Sequence, residues 1–501
     1  MRYLVVDAGS SNVKIYLAHL DAGKELHMEE AGRFPTEKVF FLGHLSTDIF
    51  AIYGRICSVI KSLADRGIYV DSLGIDSWCS DYGIVDMVSG SVSMPVFYRD
   101  KRTDGYVDKV SQVMDYEEIC RLTAQRILPD STLCQMLAFK EEYPQGLSGS
   151  KKILFIGDLL MYLFSGVICS EVSVASYSQL FNMEHEDWEK EILGRFHIPE
   201  AAVPPVVRAG TRIGTVRPDL ATYLGIKNTY VTAPAVHDTA SAGVAVPAGE
   251  GESWAFLATG SWFLMSMELD APADRKKSYR YQLSNTGMAF GKALLKKNIT
   301  AMWLVQECRR QWERMGSHYT YPELKDMAGQ AEGFTAMVDT EYEGFRHPEN
   351  MADEICAYLR KTGQHAPRPE DAGKIVRIIY ESIALQSVRA LKMLEDTTGK
   401  KVDVLYIVGG ANRIEILNQY IADAAGIRVR TGPSEASAVG NALLQAYAMG
   451  ETASLKEMRE IAGNSFGTEE YRPVNTQKWQ RQYKKYVELS GQADRGGRSY
   501  E

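Results

Sequence analysis

The sequence predicts an α/β protein of two domains, and three observations carry that expectation. A chain of 501 residues is too long for one ordinary core. Short apolar, strand-like runs alternate with longer amphipathic stretches. The same local pattern, a strand, a glycine–serine bend and a second strand, opens each half: Tyr3–Ala18 is broken by Asp7-Ala8-Gly9-Ser10-Ser11-Asn12, and Ser253–Met265 is broken by Thr259-Gly260-Ser261. Two such hairpins point to a duplicated unit. The run Ala245–Gly251, with one Pro and two Gly, marks the boundary, giving domains at 1–245 and 246–490. Residues 491–501, rich in Gly, Arg and Ser, read as a disordered tail.

Composition narrows the class. Hydrophobic residues at 45% and charged residues at 24% are ordinary for a soluble globular enzyme. Lys and Arg number 56 against 64 Asp and Glu, a net charge of −8 with no long basic block, so nucleic acid and anionic membrane are not expected partners. Met1-Arg2-Tyr3 runs directly into a strand, and no run of eighteen apolar residues follows. The seven cysteines (57, 79, 120, 134, 169, 308, 356) are odd in number and show no metal-ligand spacing. They read as reduced thiols of a cytoplasmic protein.

In the first hairpin, a bend of Gly and small polar residues turns several N–H groups to one point, which suits a phosphate. Asp7 at the strand end can position Mg²⁺ through water, and Lys14 can offset phosphate charge. A plain polar turn is the simpler alternative. Residues 46–66 read as an amphipathic helix through Ile49, Ile52, Ile56, Ile60 and Leu63. Ser72–Ser77 is a strand running into Trp78-Cys79-Ser80-Asp81, and Tyr98-Arg99-Asp100-Lys101-Arg102-Thr103 is a second polar loop; both suit a small polar ligand. Ile153–Phe164 reads as a core helix, and the stretch from Pro199 to Pro218 as an extended connector.

At mid-chain, Val231–Val236 leads into His237-Asp238-Thr239-Ala240-Ser241-Ala242-Gly243. Small residues after a strand leave room for a ligand at Asp238, whose carboxylate can accept a hydroxyl proton. The plainer role for Asp238 is to cap the following helix. Ala293–Arg310 reads as a helix placing Asn298 and Gln306, eight residues apart, on one face. A long helix over 371–396 ends near Gly399. Val402–Val408 feeds Gly409-Gly410, which permits close approach to a base or ribose. The next helix, from Arg413 to Ala425, has Asn412 and Glu415 at capping-box spacing.

Several of these pieces in order carry a resemblance: His237-Asp238-Thr239-Ala240-Ser241-Ala242, Tyr98-Arg99-Asp100-x-Arg102-Thr103, Lys297-Asn298-Ile299 with Trp303-Leu304-x-Gln306, Ser178-Gln179-Leu180-x-Asn182, and Gly432-Pro433-x-Glu435-Ala436-Ser437 with Gly440-Asn441. From Tyr3 to about Tyr447 the chain resembles the FGGY carbohydrate kinase family. The resemblance implies two RNase H-like (actin-like ATPase) domains around an interdomain cleft, with ATP, Mg²⁺ and a ketose as ligands, in a monomer or homodimer. It implies Asp238 as the base, and Cys79, His237, Thr239 and Asn298 as sugar contacts. Ser10, Ser11, Asn12, Val13 and Lys14 would line the phosphate turn; Ser261, Gln306 and Gly410 would complete the nucleotide site, with Asp7 at Mg²⁺. The implied reaction is phosphorylation of L-rhamnulose at O1, with L-fuculose or xylulose as alternative sugars. A sugar-independent, actin-like ATPase is the alternative from another class. Three places depart from the family pattern: Cys79 stands where Gly is usual, Lys14 replaces Arg with a point charge, and the Gly409-Gly410-Ala411-Asn412 turn lacks the third Gly and the following Gln-Asn pair.

Overall fold

The computed structural model describes residues 1–346 and 348–494. The chain forms two compact units that are discontinuous in sequence. One comprises Met1–Gly249, Glu268–Leu295 and Glu435–Gly467; the other comprises Glu250–Met267, Lys296–Ser434 and the stretch from Thr468 onward. Two later segments thus return to the first unit.

The first unit is built on strands β1 (Tyr3–Ala8), β2 (Asn12–Leu20), β3 (Leu26–Pro35), β4 (Ser72–Ser77), β5 (Thr211–Thr215) and β6 (Tyr230–Ala233), in the order β5-β6-β4-β1-β2-β3. β1 runs antiparallel to β2 and parallel to β4, and β4 runs parallel to β6. β1 and β4 are almost wholly buried, as expected for central strands covered on both faces. Helix α1 (Ile49–Asp65) follows the predicted apolar spacing and buries Ile49, Ile52, Ile56, Ile60 and Leu63. Helix α2 (Asp238–Val244) leaves the chain just beyond β6, and helix α3 (Ala436–Ala448) packs on it.

In the second unit the scheme recurs. Strands β7 (Trp254–Thr259), β8 (Trp262–Leu269), β9 (Ala293–Thr300), β10 (Val404–Gly409), β11 (Arg428–Thr431) and β12 (Glu470–Tyr471) lie in the order β9-β8-β7-β10-β11-β12, in a sheet whose seventh strand, Ser284–Gly287, flanks β9. β7 is antiparallel to β8 and parallel to β10, and β10 is parallel to β11. The outer pairs, β5 with β6 and β11 with β12, are both antiparallel. The duplication suggested by two short hairpins thus extends over six strands.

Five local expectations are corrected. Ala293–Arg310 is not one helix: Ala293–Thr300 is β9, and the helix runs Met302–Arg314. Leu294, Leu295 and Ile299 are buried because the strand is covered on both faces, so their helix-like spacing was incidental. Asn298 and Gln306 therefore share no helix face. Ile153–Phe164 divides into a strand, Lys151–Phe155, and a helix, Ile156–Ser165. The connector from Pro199 to Pro218 contributes the edge strand β5. The helix after Gly409-Gly410 begins at Glu415, and no capping box forms; Asn412 instead donates its side-chain amide to the Gly432 carbonyl at 2.6 Å. Of the tail expected at 491–501, residues 491–494 complete the helix Thr476–Asp494, and the remainder lies outside the described residues.

Candidate active site

At the end of β1, Asp7 pairs in register with Lys14 across the hairpin and with Asp76 on β4. Residues opposite one another share a face of the sheet, so these three side chains gather at one spot. Lys14 Nζ lies 3.9 Å from Asp7 and 2.5 Å from Glu435, just before α3. Burial raises Asp7 to about 6 from its ordinary 3.8; Lys14 pulls it down, and the charges of Asp238 and Glu435 push it up. Asp76 is fully buried and likewise raised, first by burial and then by Asp7. It accepts a hydrogen bond from Asn441 on α3 at 2.7 Å. The site is thus a cluster of carboxyls in which Lys14 faces both Asp7 and Glu435.

The bend beside it is held by its carbonyls. Thr36 Oγ1 donates to Gly9 O at 2.7 Å, Lys38 Nζ to Ser10 O at 3.1 Å, and Thr36 N to Ser11 O at 2.9 Å. Gly9 closes the turn by donating to Asn12 O, which a Cβ at Gly9 would approach within 2.9 Å. With three consecutive carbonyls tied back, the N–H groups of Ser10 and Ser11 have no hydrogen-bond partner among the described residues. Such an array of open amides suits an anion. Val13 points into the core, whereas Ser11 and Asn12 are exposed.

The His237-Asp238 turn is joined to the end of β4. Ser77 N donates to Val236 O at 2.7 Å, and Ser77 and His237 form a parallel bridge. His237, not Asp238, is the helix N-cap residue, and its side chain makes no cap. Asp238 is the first helical residue, with a side chain 39% exposed. Its Oδ1 accepts from Thr239 N at 2.6 Å and Thr239 Oγ1 at 3.1 Å, and His237 Nε2 is 3.5 Å away. The structure therefore brings Asp7, Lys14, His237, Asp238 and Thr239 into the same unit, with Asp7 and Asp238 close enough to repel. Cys79 follows Trp78, whose Nε1 donates to Asp81 at 2.8 Å. Asp81 is buried, which raises it to about 7, while bonds from Trp78 and Gln135 pull the other way.

In the second unit Ser261 Oγ donates to Gln306 Oε1 at 2.9 Å. The strand pairing sets Gly409 beside Thr259, two residues before Ser261. Gly409 has φ +88°, and a Cβ there would lie 2.3 Å from the Thr259 carbonyl. A Cβ on Gly410 would meet nothing within 4 Å, so space is open there. Asn298 lies on β9. Sequence reasoning had passed over Glu435, Asp76 and Lys38 as site residues. Glu435 and Asn441 lie in motifs that carried the resemblance, but only tertiary structure joins them to β1 and β4.

No three ligand atoms of Asp7, Asp76, Asp238 and Glu435 converge within 4.8 Å; the one triad that does so among the described residues is the exposed Asp21, Glu25 and His27. Carboxyl oxygens such as those of Asp7 nonetheless suit Mg²⁺ that keeps most of its water.

Duplicated α/β sheets, a hairpin with open amides and a half-exposed carboxylate beside it are the features of a two-domain kinase. The chain belongs to the FGGY family of carbohydrate kinases: the family's N-terminal domain matches residues 2–245 and its C-terminal domain residues 255–449. It is 33% identical over 481 residues to a rhamnulokinase of Bacteroides thetaiotaomicron, covering 96% of this chain and 98% of that one. To a rhamnulokinase of Ligilactobacillus salivarius it is 31% identical over 471 residues, covering 94% and 95%. The fold is similar to that of a ligand-bound xylulose kinase from Lactobacillus acidophilus (TM-score 0.81, 16% identity, 98% of each chain). It is also similar to that of Plasmodium falciparum glycerol kinase with ADP (TM-score 0.79, 15% identity, 99% and 97% covered). Among the described residues no helix is long and apolar enough to cross a membrane, and the seven cysteines form no disulfide.

Proposed function

We propose that this carbohydrate kinase transfers the terminal phosphoryl group of ATP to O1 of L-rhamnulose, giving L-rhamnulose 1-phosphate and ADP. The observation that carries the choice of sugar is the 31–33% identity to rhamnulokinases across 94–96% of the chain. Asp238 accepts the proton of the attacking hydroxyl, the new O–P bond forms, and the bond to the bridging oxygen of ADP breaks. This carboxylate is reachable and held by Thr239 in a fixed orientation, as a positioned base requires. The amides of Ser10 and Ser11, with Lys14, receive phosphate charge. Asn12 and Val13 complete that bend. Phosphoryl transfer depends more on such positioning and charge than on covalent help. Mg²⁺ would be held near Asp7 through its water, where it would supply charge neutralisation. Cys79, His237, Thr239 and Asn298 are the proposed sugar contacts, and Ser261, Gln306 and Gly410 the proposed nucleotide contacts. The reduced thiols support a cytoplasmic setting.

A panel of ketoses with Mg²⁺-ATP and coupled ADP detection tests this. L-rhamnulose is expected to give the highest kcat/KM. A higher value for L-fuculose or xylulose would replace the sugar and keep the roles. That second reading is favoured by one observation, Cys79 in place of the family's Gly. Equal ADP release with and without sugar would overturn both.

A further inference from the structure

Behind the His237-Asp238 turn lies a fully buried polar chain that the reaction scheme does not use. Glu171 and Ser173 have no exposed surface. Glu171 Oε2 accepts from Val236 N at 2.9 Å, from Ser173 N at 3.0 Å, and from Ser173 Oγ. Ser173 Oγ in turn accepts from His237 N at 3.0 Å. Two consecutive amides immediately before α2 are thus held by one carboxylate and one hydroxyl. Asp158 stands behind them, accepting from Glu171 N at 3.2 Å and from Ser170 Oγ at 2.6 Å. Its neighbour Gly157 donates to Ser77 Oγ at 3.0 Å, and Ser77 N holds the Val236 carbonyl from the other side. The Tyr177 ring packs 5.5 Å from the His237 ring.

Burying ionisable groups at this depth costs folding free energy, and α2 begins without a side-chain cap. We propose that Glu171 and Ser173 are positioning residues: they clamp the Val236–His237 backbone and thereby fix the direction in which Asp238 leaves the turn. The inference rests on the role given above to Asp238. All three bonds fall on Oε2, so the clamp needs one acceptor oxygen there, which an apolar side chain cannot supply.

The test uses Ser173→Ala, Ser173→Thr and Glu171→Leu in this chain. Ser173→Ala is expected to lower kcat about 10–100-fold, since small misplacement of a catalytic group suffices for such losses, with KM for ATP unchanged within about twofold. Ser173→Thr, which keeps the hydroxyl, is expected to restore kcat. Glu171→Leu, which removes the acceptor, is expected to lose at least as much as Ser173→Ala; if it fails to fold, the Ser173 pair decides. Hydrogen exchange of the peptide spanning 234–238 supplies a readout independent of turnover, expected at least about tenfold faster in Ser173→Ala and restored in Ser173→Thr. Wild-type kcat in folded Ser173→Ala, or unchanged exchange at 234–238, would overturn the clamp. A wild-type enzyme inactive on every ketose would defeat the proposed function instead, leaving exchange alone to judge the clamp.

Discussion

The two hairpins share a ladder and differ in what it carries. In the first, Asp7 faces Lys14 on one side and Asp76 on the other. In the second, the equivalent strand residue, Ala258, faces Leu264 and Val408. Both bends are closed by glycine, Gly9 donating to Asn12 and Gly260 to Trp262, but the second is one residue shorter. One topology therefore supports a charged edge in one unit and an apolar edge in the other. Backbone pairing dictates where a side chain can stand, and the sequence decides whether chemistry is placed there.

The contrast can be broken most sharply at Asp238. Asp238→Asn is expected to lower kcat by about 10²–10⁴-fold with little change in Tm, measured by the coupled assay and thermal unfolding. Near-normal turnover would move the reaction away from the charged unit.

Asp7→Asn is the next largest change, and it should act in opposite directions on activity and stability. The folded chain keeps the Asp7 proton up to about pH 6, whereas the unfolded chain releases it near 3.8. Between these values the folded state binds more protons, so the group's contribution to stability falls as pH rises through that window and stays low above it. Asp7→Asn is expected to gain roughly 1–3 kcal/mol at pH 7.5, to flatten the decline between pH 4 and 6, and to lose activity. Urea unfolding across that range measures it.

The second unit is sharpened by two adjacent glycines. Gly409→Ala puts a Cβ against the Thr259 carbonyl at positive φ and is expected to cost at least about 1–3 kcal/mol. Gly410→Ala meets open space and is expected to change stability by less than about 0.5 kcal/mol while raising KM for ATP severalfold. Equal KM values for wild type and Gly410→Ala would remove Gly410 from the nucleotide contacts.

The hairpins, α1, the helix Ala372–Thr398 and the Gly409-Gly410 bend were legible because each has a local cause: alternation, a 3–4 repeat, or a glycine at a turn. β9 was not, since a strand buried on both faces shows no alternation, and its apolar residues also fit a helix. The charged cluster was half legible. Asp7, Lys14 and Asp238 stand at strand or helix ends, where local pattern exposes them. Glu435, Asp76 and Asn441 each acquire their role from a partner 365 or more residues away, which no local pattern records.

Gly440 carries a further consequence. A Cβ there would lie 1.8 Å from the Ser241 carbonyl, so α3 touches α2 backbone to backbone, and Ser241 Oγ donates to Ser437 O at 2.9 Å. A seven-residue helix has little stability alone, and α2 leans on a segment made some two hundred residues later. A nascent chain halted before Glu435 would hold the whole first hairpin and Asp238, yet lack both the acid that meets Lys14 and the surface on which α2 rests. The ribosome must pass Glu435 before the first unit can be finished.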